Sequence, residues 1–132
     1  MNQPTDYSEI PGLEHIALEE SYVLAIHLLP ERFVITLELV LLPGHPAYSQ
    51  PASSEMYCYR LGSLVFPSPR SLRLQSEKFH KIPGLDEPAD VGNIDSMQAI
   101  DGQYQLQGEW GELTIVSEKP VVHLDESQGA RL

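Results

Sequence analysis

Four side chains have the residue types and spacing expected of a ligand site. His45 lies in a loop-forming stretch, and an imidazole can serve as a general base, a metal ligand or a hydrogen-bonding group near neutral pH. Tyr57 and Tyr59 are two residues apart, which places both rings on one face of a strand. Trp110 has glycines close on either side, so a ligand or a backbone can approach it. These four residues are our candidates for the mouth of a small-molecule site, although a core anchor beside a turn is the favoured role for Trp110.

The histidines give no pattern for a metal. None forms an H-x-H or H-E-x-x-H pair, which would put two ligands on one element. Nor does the chain contain a G-x-S-x-G elbow, a P-loop or a dinucleotide fingerprint. We therefore predict no metal, no cofactor and no catalytic residue, against an enzymatic alternative that pairs His45 with Glu55 or Asp95 as acid and base. The five histidines are His15, His27, His45, His80 and His123.

Oxygen ligands for a cation are concentrated in one acidic stretch, residues 86–95. Its spacing, D-E-x-x-D-x-x-N-x-D, does not fit the EF-hand loop. Asp and Asn side chains also form local turns, so a solvated loop is the favoured interpretation and cation binding stays open. The oxygen-bearing residues are Asp86, Glu87, Asp90, Asn93 and Asp95.

Charge restricts the partners of the chain. Eight Lys and Arg face 19 Asp and Glu, for a formal net charge of -11. This balance argues against nucleic acid and anionic membranes, which bind basic proteins, and favours a basic protein partner or solubility alone. The only cysteine, Cys58, excludes an internal disulfide and a cysteine-based zinc site. No apolar run approaches 18 residues and the N-terminus lacks a signal-peptide pattern, so we expect a cytoplasmic protein.

Residues 20–42 form the framework that must position these side chains. Two alternating apolar runs flank a break at residues 29–32, where Pro30 suits the second position of a type I turn. The pattern predicts an antiparallel hairpin whose second face, around His27, is too apolar to be simply solvated. The predicted register pairs Leu28 with Phe33, Ile26 with Ile35, Leu24 with Leu37 and Tyr22 with Leu39.

Further strands are predicted within residues 55–66, 71–75, 97–106, 113–115 and 121–124. Asp101-Gly102 is a type I′ hairpin signal, and the parity change near Trp110 predicts a turn or bulge at residues 110–112. Gly62-Ser63 predicts either a turn or a bulge within residues 55–66.

The result is an all-β fold of about eight short strands, with room for one short helix at residues 13–19. Its predicted architecture is an antiparallel β-sandwich or an open β-barrel. We expect a single β domain over residues 1–132, with an N-terminal arm at 1–12 and a flexible C-terminal tail at 125–132. Sheet edges or faces leave a homodimer open.

Three sequence resemblances bear on fold and function. Four phrases resemble those of small bacterial β-rich proteins that have no assigned activity, so they imply a β fold and nothing more. In size and acidity the chain is similar to immunity proteins, which neutralise basic bacterial toxins. The four phrases are residues 21–24 (SYVL), 43–48 (PGHPAY), 90–95 (DVGNID) and 108–111 (GEWG).

A third resemblance concerns the cupins. Gly44-His45, followed by Glu55 and Gly62, resembles part of the first cupin metal motif. Ala47 stands where that motif has its second histidine, so the resemblance implies a cupin-like domain without an intact metal site.

Because the chain has a net charge of -11 and no catalytic motif, we expect a non-enzymatic protein-binding module, immunity-protein-like in its most concrete form. The alternative is a small-molecule-binding β-barrel domain.

Overall fold

The computed structural model describes residues 4–51, 53–75 and 92–125 of the chain. These residues form two antiparallel sheets of five and four strands that are not closed into a barrel, which confirms the all-β prediction. Helical structure within them consists of two single 3₁₀ turns, Tyr7–Glu9 and Leu18–Glu20. The expected tail from residue 126 onward, and most of the acidic stretch 86–95, lie outside the described residues.

The described strands are β1 (Thr5–Asp6), β2 (Tyr22–Leu29), β3 (Arg32–Leu41), β4 (Cys58–Pro67), β5 (Ser71–Gln75), β6 (Ile94–Ile100), β7 (Gln103–Gly108), β8 (Gly111–Val116) and β9 (Val121–Leu124). The five-stranded sheet has the order β1-β6-β7-β8-β5 and the four-stranded sheet the order β2-β3-β4-β9. Eight of these strands match the predicted ones, and the two-residue β1 is additional because so short a pairing has no periodicity to detect.

The β2–β3 hairpin follows the predicted register only near its turn. Leu28 pairs with Phe33 and Ile26 pairs with Ile35. The remaining two predicted pairs are wrong, because Leu24 forms a bulge between Val23 and Ala25. Beyond the bulge Val23 pairs with Leu37 and Tyr22 with Glu38.

The bulge also exchanges the faces of β2. Val23 is fully buried in place of the half-buried Leu24. Leu28 is 67% exposed, although the alternation predicts it on the buried face. It lies at the hairpin tip, on the edge strand of the sheet, so its position is open to solvent.

The Gly62-Ser63 pair is neither a turn nor a bulge. β4 runs straight through it, and its pairing with β3 is continuous over ten residues. Gly62 is needed for a close approach, because a Cβ there would lie 2.6 Å from the carbonyl oxygen of His123 on β9.

The two turns of the five-stranded sheet follow their local sequence closely. Asp101 and Gly102 both have positive φ, 49° and 80°, as a type I′ turn requires. The next turn comprises Glu109 and Trp110, one residue earlier than predicted, and β8 begins at Gly111.

The chain before β2 extends the four-stranded sheet. Ile16 bridges Leu41, and the amide of Ala17 donates to the carbonyl of Val40, so this segment lies beside the end of β3. Where the 3₁₀ turn Leu18–Glu20 interrupts the pairing, the buried Ser21 hydroxyl donates to Ala17 (2.7 Å) and accepts from the amide of Val40 (3.0 Å). A side chain thus supplies the hydrogen bonds that a strand would otherwise make.

One hydrophobic core lies between the sheets. Phe66 of β4 and Tyr104 of β7 contact each other across it, with ring centroids 5.6 Å apart. Tyr7 and Ile10 of the N-terminal arm are also buried in it. The largest fully buried side chains are Trp110, Phe33, Phe66, Leu13, Ile16, Leu18, Ile26, Ile35, Leu37, Leu39, Leu41 and Leu64.

Candidate functional site

Tyr57 and Tyr59 are brought together by the start of β4. Their rings meet edge to face with centroids 6.0 Å apart and an interplanar angle of 85°. Both are half-buried on the outward face of the four-stranded sheet. The pKa of Tyr59 is raised, first by burial and then by neighbours that include Tyr22 and Glu38, which places these groups in one local cluster.

His45 lies in the turn that follows β3 and is half-buried. Its Nδ1 accepts the amide hydrogen of Ala47 at 3.0 Å, so the neutral ring carries its proton on Nε2. The pKa of His45 is lowered, mainly by burial and then by the charges of His15 and Arg60. The structure therefore favours a neutral imidazole at this position.

Trp110 serves the core. Its side chain is fully buried, and Nε1 donates to the carbonyl oxygen of Asn93 at 3.1 Å. A Cβ at Gly108 would collide with both of these groups, which explains the glycine next to the turn. Trp110 thus lies inside the molecule by the five-stranded sheet, whereas Tyr57 and Tyr59 lie outside on the other sheet.

The described residues contain neither a candidate metal site nor a candidate membrane-spanning helix. Within residues 4–51, 53–75 and 92–125, His, Cys, Asp and Glu form no group of three or more that could hold a metal ion. Within the same ranges, no helix has the length and apolar character needed to cross a membrane.

A concave surface forms instead where the N-terminal segment crosses from one sheet to the other. β1 pairs with β6, and residues 15–17 lie beside β3, so the intervening chain bridges the two sheets. An open depression of about 530 Å³ lies along this bridge, and we call it the acidic cleft. It is lined by Asp6, Tyr7, Ser8, Glu14, His15, Ile16, Glu19 and Leu42.

The floor of the acidic cleft is formed by two buried side chains. Tyr7 and Ile16 are 6% and 2% exposed. The Tyr7 hydroxyl accepts the amide hydrogen of Leu18 at 3.0 Å and donates to the Glu19 carboxylate, 2.9 Å from Oε2 and 3.1 Å from Oε1. Burial raises the pKa of Tyr7 well above its ordinary value, with Glu19 adding to the rise. The phenol therefore stays protonated and holds the Glu19 carboxylate in place.

The other two carboxylates are held by the backbone and by a serine. Asp6 accepts from the hydroxyl of Ser8 at 2.6 Å and from its amide at 3.1 Å, and both bonds lower the pKa of Asp6. Glu14 accepts the amide hydrogen of Gly12 at 2.9 Å, and its pKa is lowered chiefly by backbone hydrogen bonds. Both groups are ionised at neutral pH.

One rim of the acidic cleft depends on a strained histidine. His15 has a φ of 60°, a left-handed conformation that is uncommon outside glycine, and its carbonyl accepts the amide hydrogen of Leu42 at 2.9 Å. The imidazole lies directly over Gly44, where a Cβ would be 3.0 to 3.2 Å from three ring atoms. Gly44 therefore matters as space for His15, a role the cupin resemblance does not suggest.

The electrostatics of the acidic cleft favour binding a cation over acid-base catalysis. Segment 5–20 carries five exposed carboxylates and no Lys or Arg. A general acid needs a carboxyl whose pKa is raised toward neutrality, whereas those of Asp6 and Glu14 are lowered. The five carboxylates are Asp6, Glu9, Glu14, Glu19 and Glu20.

Sequence reasoning did not identify this site as a cavity. The available signal was the order of charges, since every charged side chain before Arg32 is acidic. Comparison of the chain with protein-family models, with curated proteins and with solved structures found no match in any of the three.

Proposed function

We propose that the protein is a non-enzymatic binding module that takes a basic protein partner at the acidic cleft. Neutralisation of a basic toxin-like protein, as immunity proteins perform it, is the most concrete form of this proposal, with a cytoplasmic location. The observation that carries it is a concave surface with three carboxylates around an apolar floor, two of them with lowered pKa values.

An arginine or lysine side chain of a partner fits this combination of groups. Its methylene stem would lie on Leu42, which lines the cleft and is 37% exposed, while its charged end reaches Glu19 and Glu14. A guanidinium suits a fixed carboxylate best because it can make two parallel hydrogen bonds. The net charge of -11 would also steer a basic partner toward the protein.

The first test measures binding of a fluorescent hexa-arginine peptide to the wild-type protein and to two double variants. Glu14→Gln with Glu19→Gln removes two charges from the acidic cleft and keeps an acceptor for the Tyr7 hydroxyl. Glu55→Gln with Glu118→Gln is the matched control, because it removes the same charge from exposed positions that do not line the cleft.

We expect the cleft variant to weaken binding by about tenfold or more, and the control by about threefold or less. Equal weakening would show that the peptide responds only to net charge, and the assignment of the site would be wrong. Circular dichroism melting checks that all three proteins are equally folded.

The second test identifies the partner. Immobilised wild-type protein and both double variants are exposed to lysate of the native host, and the retained proteins are identified by mass spectrometry. The proposal predicts a basic protein that the wild type and control retain and the cleft variant loses. Retention that is the same on all three would contradict it.

A further inference from the structure

The outward face of the four-stranded sheet mixes apolar side chains with uncharged polar ones and histidines. Its middle rows place Ala25, Thr36, Ser63 and His123 side by side, followed by His27, Val34, Val65 and Val121. Among these Val121 is 41% exposed, and beside them Leu24 and Leu61 line an open groove of about 460 Å³. In the part of the chain that the structure describes, the five-stranded sheet packs on the opposite side of this sheet.

Charges lie at the two ends of this face and have opposite sign. Glu38 is on the outward side of β3 near the cluster of Tyr22, Tyr57 and Tyr59. Arg32 is six positions earlier on the same strand and the same side, close to the hairpin turn. At about 3.3 Å per residue, roughly 20 Å separates the two positions, too far for them to pair within one chain.

We propose that this face binds a second copy of the same chain. A two-fold axis that lies in the interface and runs across the strands reverses the strand direction of the partner. That rotation places Glu38 of each copy over Arg32 of the other, so two opposite-charge pairs flank the apolar middle. The arrangement is self-complementary, which is the property an isologous dimer requires.

The small size of the face indicates a weak dimer. Four strands about 4.8 Å apart and roughly 20 Å long present on the order of 400 Å² in projection per copy. Stable dimers bury about 800 Å² per partner, so this one belongs to the weak class. Tyrosines at one end are consistent with an interface, where aromatic residues are enriched.

The test is analytical ultracentrifugation of the full chain from about 1 to about 500 µM, a range that covers weak dimers. We expect a monomer–dimer equilibrium for the wild type. Glu38→Arg and Arg32→Glu should each raise the Kd by about tenfold or more, because each places like charges together twice. A mixture of the two variants should form a heterodimer, since all its charge pairs are again opposite.

The heterodimer separates a second copy from every other occupant of the face. The matched controls are the single variants Glu112→Arg and Arg73→Glu on the outward face of the five-stranded sheet, which make the same changes in net charge, and each should leave the Kd within about twofold. A wild type that stays monomeric at about 500 µM would overturn the proposal. So would a mixture no more dimeric than its components. The acidic cleft is on other residues, so peptide binding there is measured independently of this result.

Discussion

The two sheets share one core but present very different surfaces to solvent. The five-stranded sheet is covered outward mainly by amides and hydroxyls, with Glu112 and Val116 among them, and one row ends in Arg73 on one side and Asp6 on the other. The four-stranded sheet carries valines, tyrosines and histidines at the equivalent positions. Amides keep their hydrogen bonds to water at no desolvation cost, whereas exposed apolar rows gain free energy when covered. The outward polar side chains of the first sheet include Ser71, Gln75, Ser96, Gln98, Gln103, Gln105, Gln107 and Thr114.

If the proposed dimer forms, inward residues determine stability and outward residues of the four-stranded sheet determine association. Both sheets supply fully buried side chains to the core, such as Leu106 from one and Ile35 from the other. In the proposed dimer, it is the outward face of the four-stranded sheet that exchanges water for a partner. Substitutions at paired inward and outward positions test this division directly.

The largest effect is expected from comparing a buried and an outward aromatic ring. Trp110→Ala should lower the free energy of unfolding by about 3 to 5 kcal/mol, because it leaves a cavity between the sheets and a carbonyl of Asn93 without its donor. Tyr59→Ala, on the outward face, should cost less than about 1.5 kcal/mol. Urea denaturation followed by circular dichroism measures both, and similar costs would contradict the division.

A second comparison uses neighbouring residues of β4. Gly62→Ala should cost about 1 to 3 kcal/mol, because the added methyl group would collide with the carbonyl of His123 and with Leu39. Ser63→Ala, on the outward side of the same strand, should change stability by less than about 0.5 kcal/mol. The same urea experiment applies, and an unaffected Gly62→Ala variant would show that β9 can move away from β4.

A third prediction concerns pH and the floor of the acidic cleft. Tyr7→Phe should cost about 1 to 3 kcal/mol at neutral pH, because the amide of Leu18 loses its acceptor. Since burial raises the pKa of Tyr7 in the folded protein, only the unfolded chain loses this proton just above pH 10. The wild type therefore loses stability as the pH rises above about 10, and this contribution is absent in the variant.

The gap between the wild type and Tyr7→Phe should consequently narrow between about pH 8 and about pH 11. Urea denaturation at both pH values measures the gap. Tyr59 and Tyr104 also have raised pKa values, so both proteins should lose some stability in alkali. A gap that is constant across this range would show that Tyr7 does not titrate differently in the two states.

The smallest effect is expected on the outward face of the five-stranded sheet. Gln105→Ala should change the free energy of unfolding by less than about 0.5 kcal/mol, because the side chain is exposed and its amide is solvated in both the folded and the unfolded chain. At each concentration, the variant should also have the same sedimentation coefficient as the wild type. Weaker dimerisation of this variant would show that the interface involves the five-stranded sheet, and it would contradict the proposed dimer.

Local sequence patterns predicted most of the fold. β5 and β9 have the predicted boundaries, and the Asp101-Gly102 turn has the φ angles that its sequence requires. These features depend on the alternation of a few side chains or on the conformational freedom of two turn residues, so a short window contains the information.

The errors arise where a distant contact overrides the local pattern. The bulge at Leu24 coincides with the point where the amide of Val23 bonds to Gly92, far along the chain, and one extra residue exchanges the faces of the strand. The local pattern predicts a turn or a bulge at Gly62, but a glycine is needed there because the backbone of β9 approaches closely. The four ligand candidates stay a prediction, with Trp110 in the core and Tyr57 and Tyr59 on a sheet face.

The sequence by itself determined that the chain forms β-strands, where most of them begin and end, and that its N-terminal third is acidic. Only the tertiary structure decided which residues share a surface. Asp6, Glu14 and Glu19 meet in one cleft because the N-terminal segment crosses between the sheets, and Arg32 and Glu38 share an open face because the five-stranded sheet packs on the other side. The physical reason is that alternation and turn chemistry act over a few residues, whereas strand pairing and packing join segments far apart in the chain.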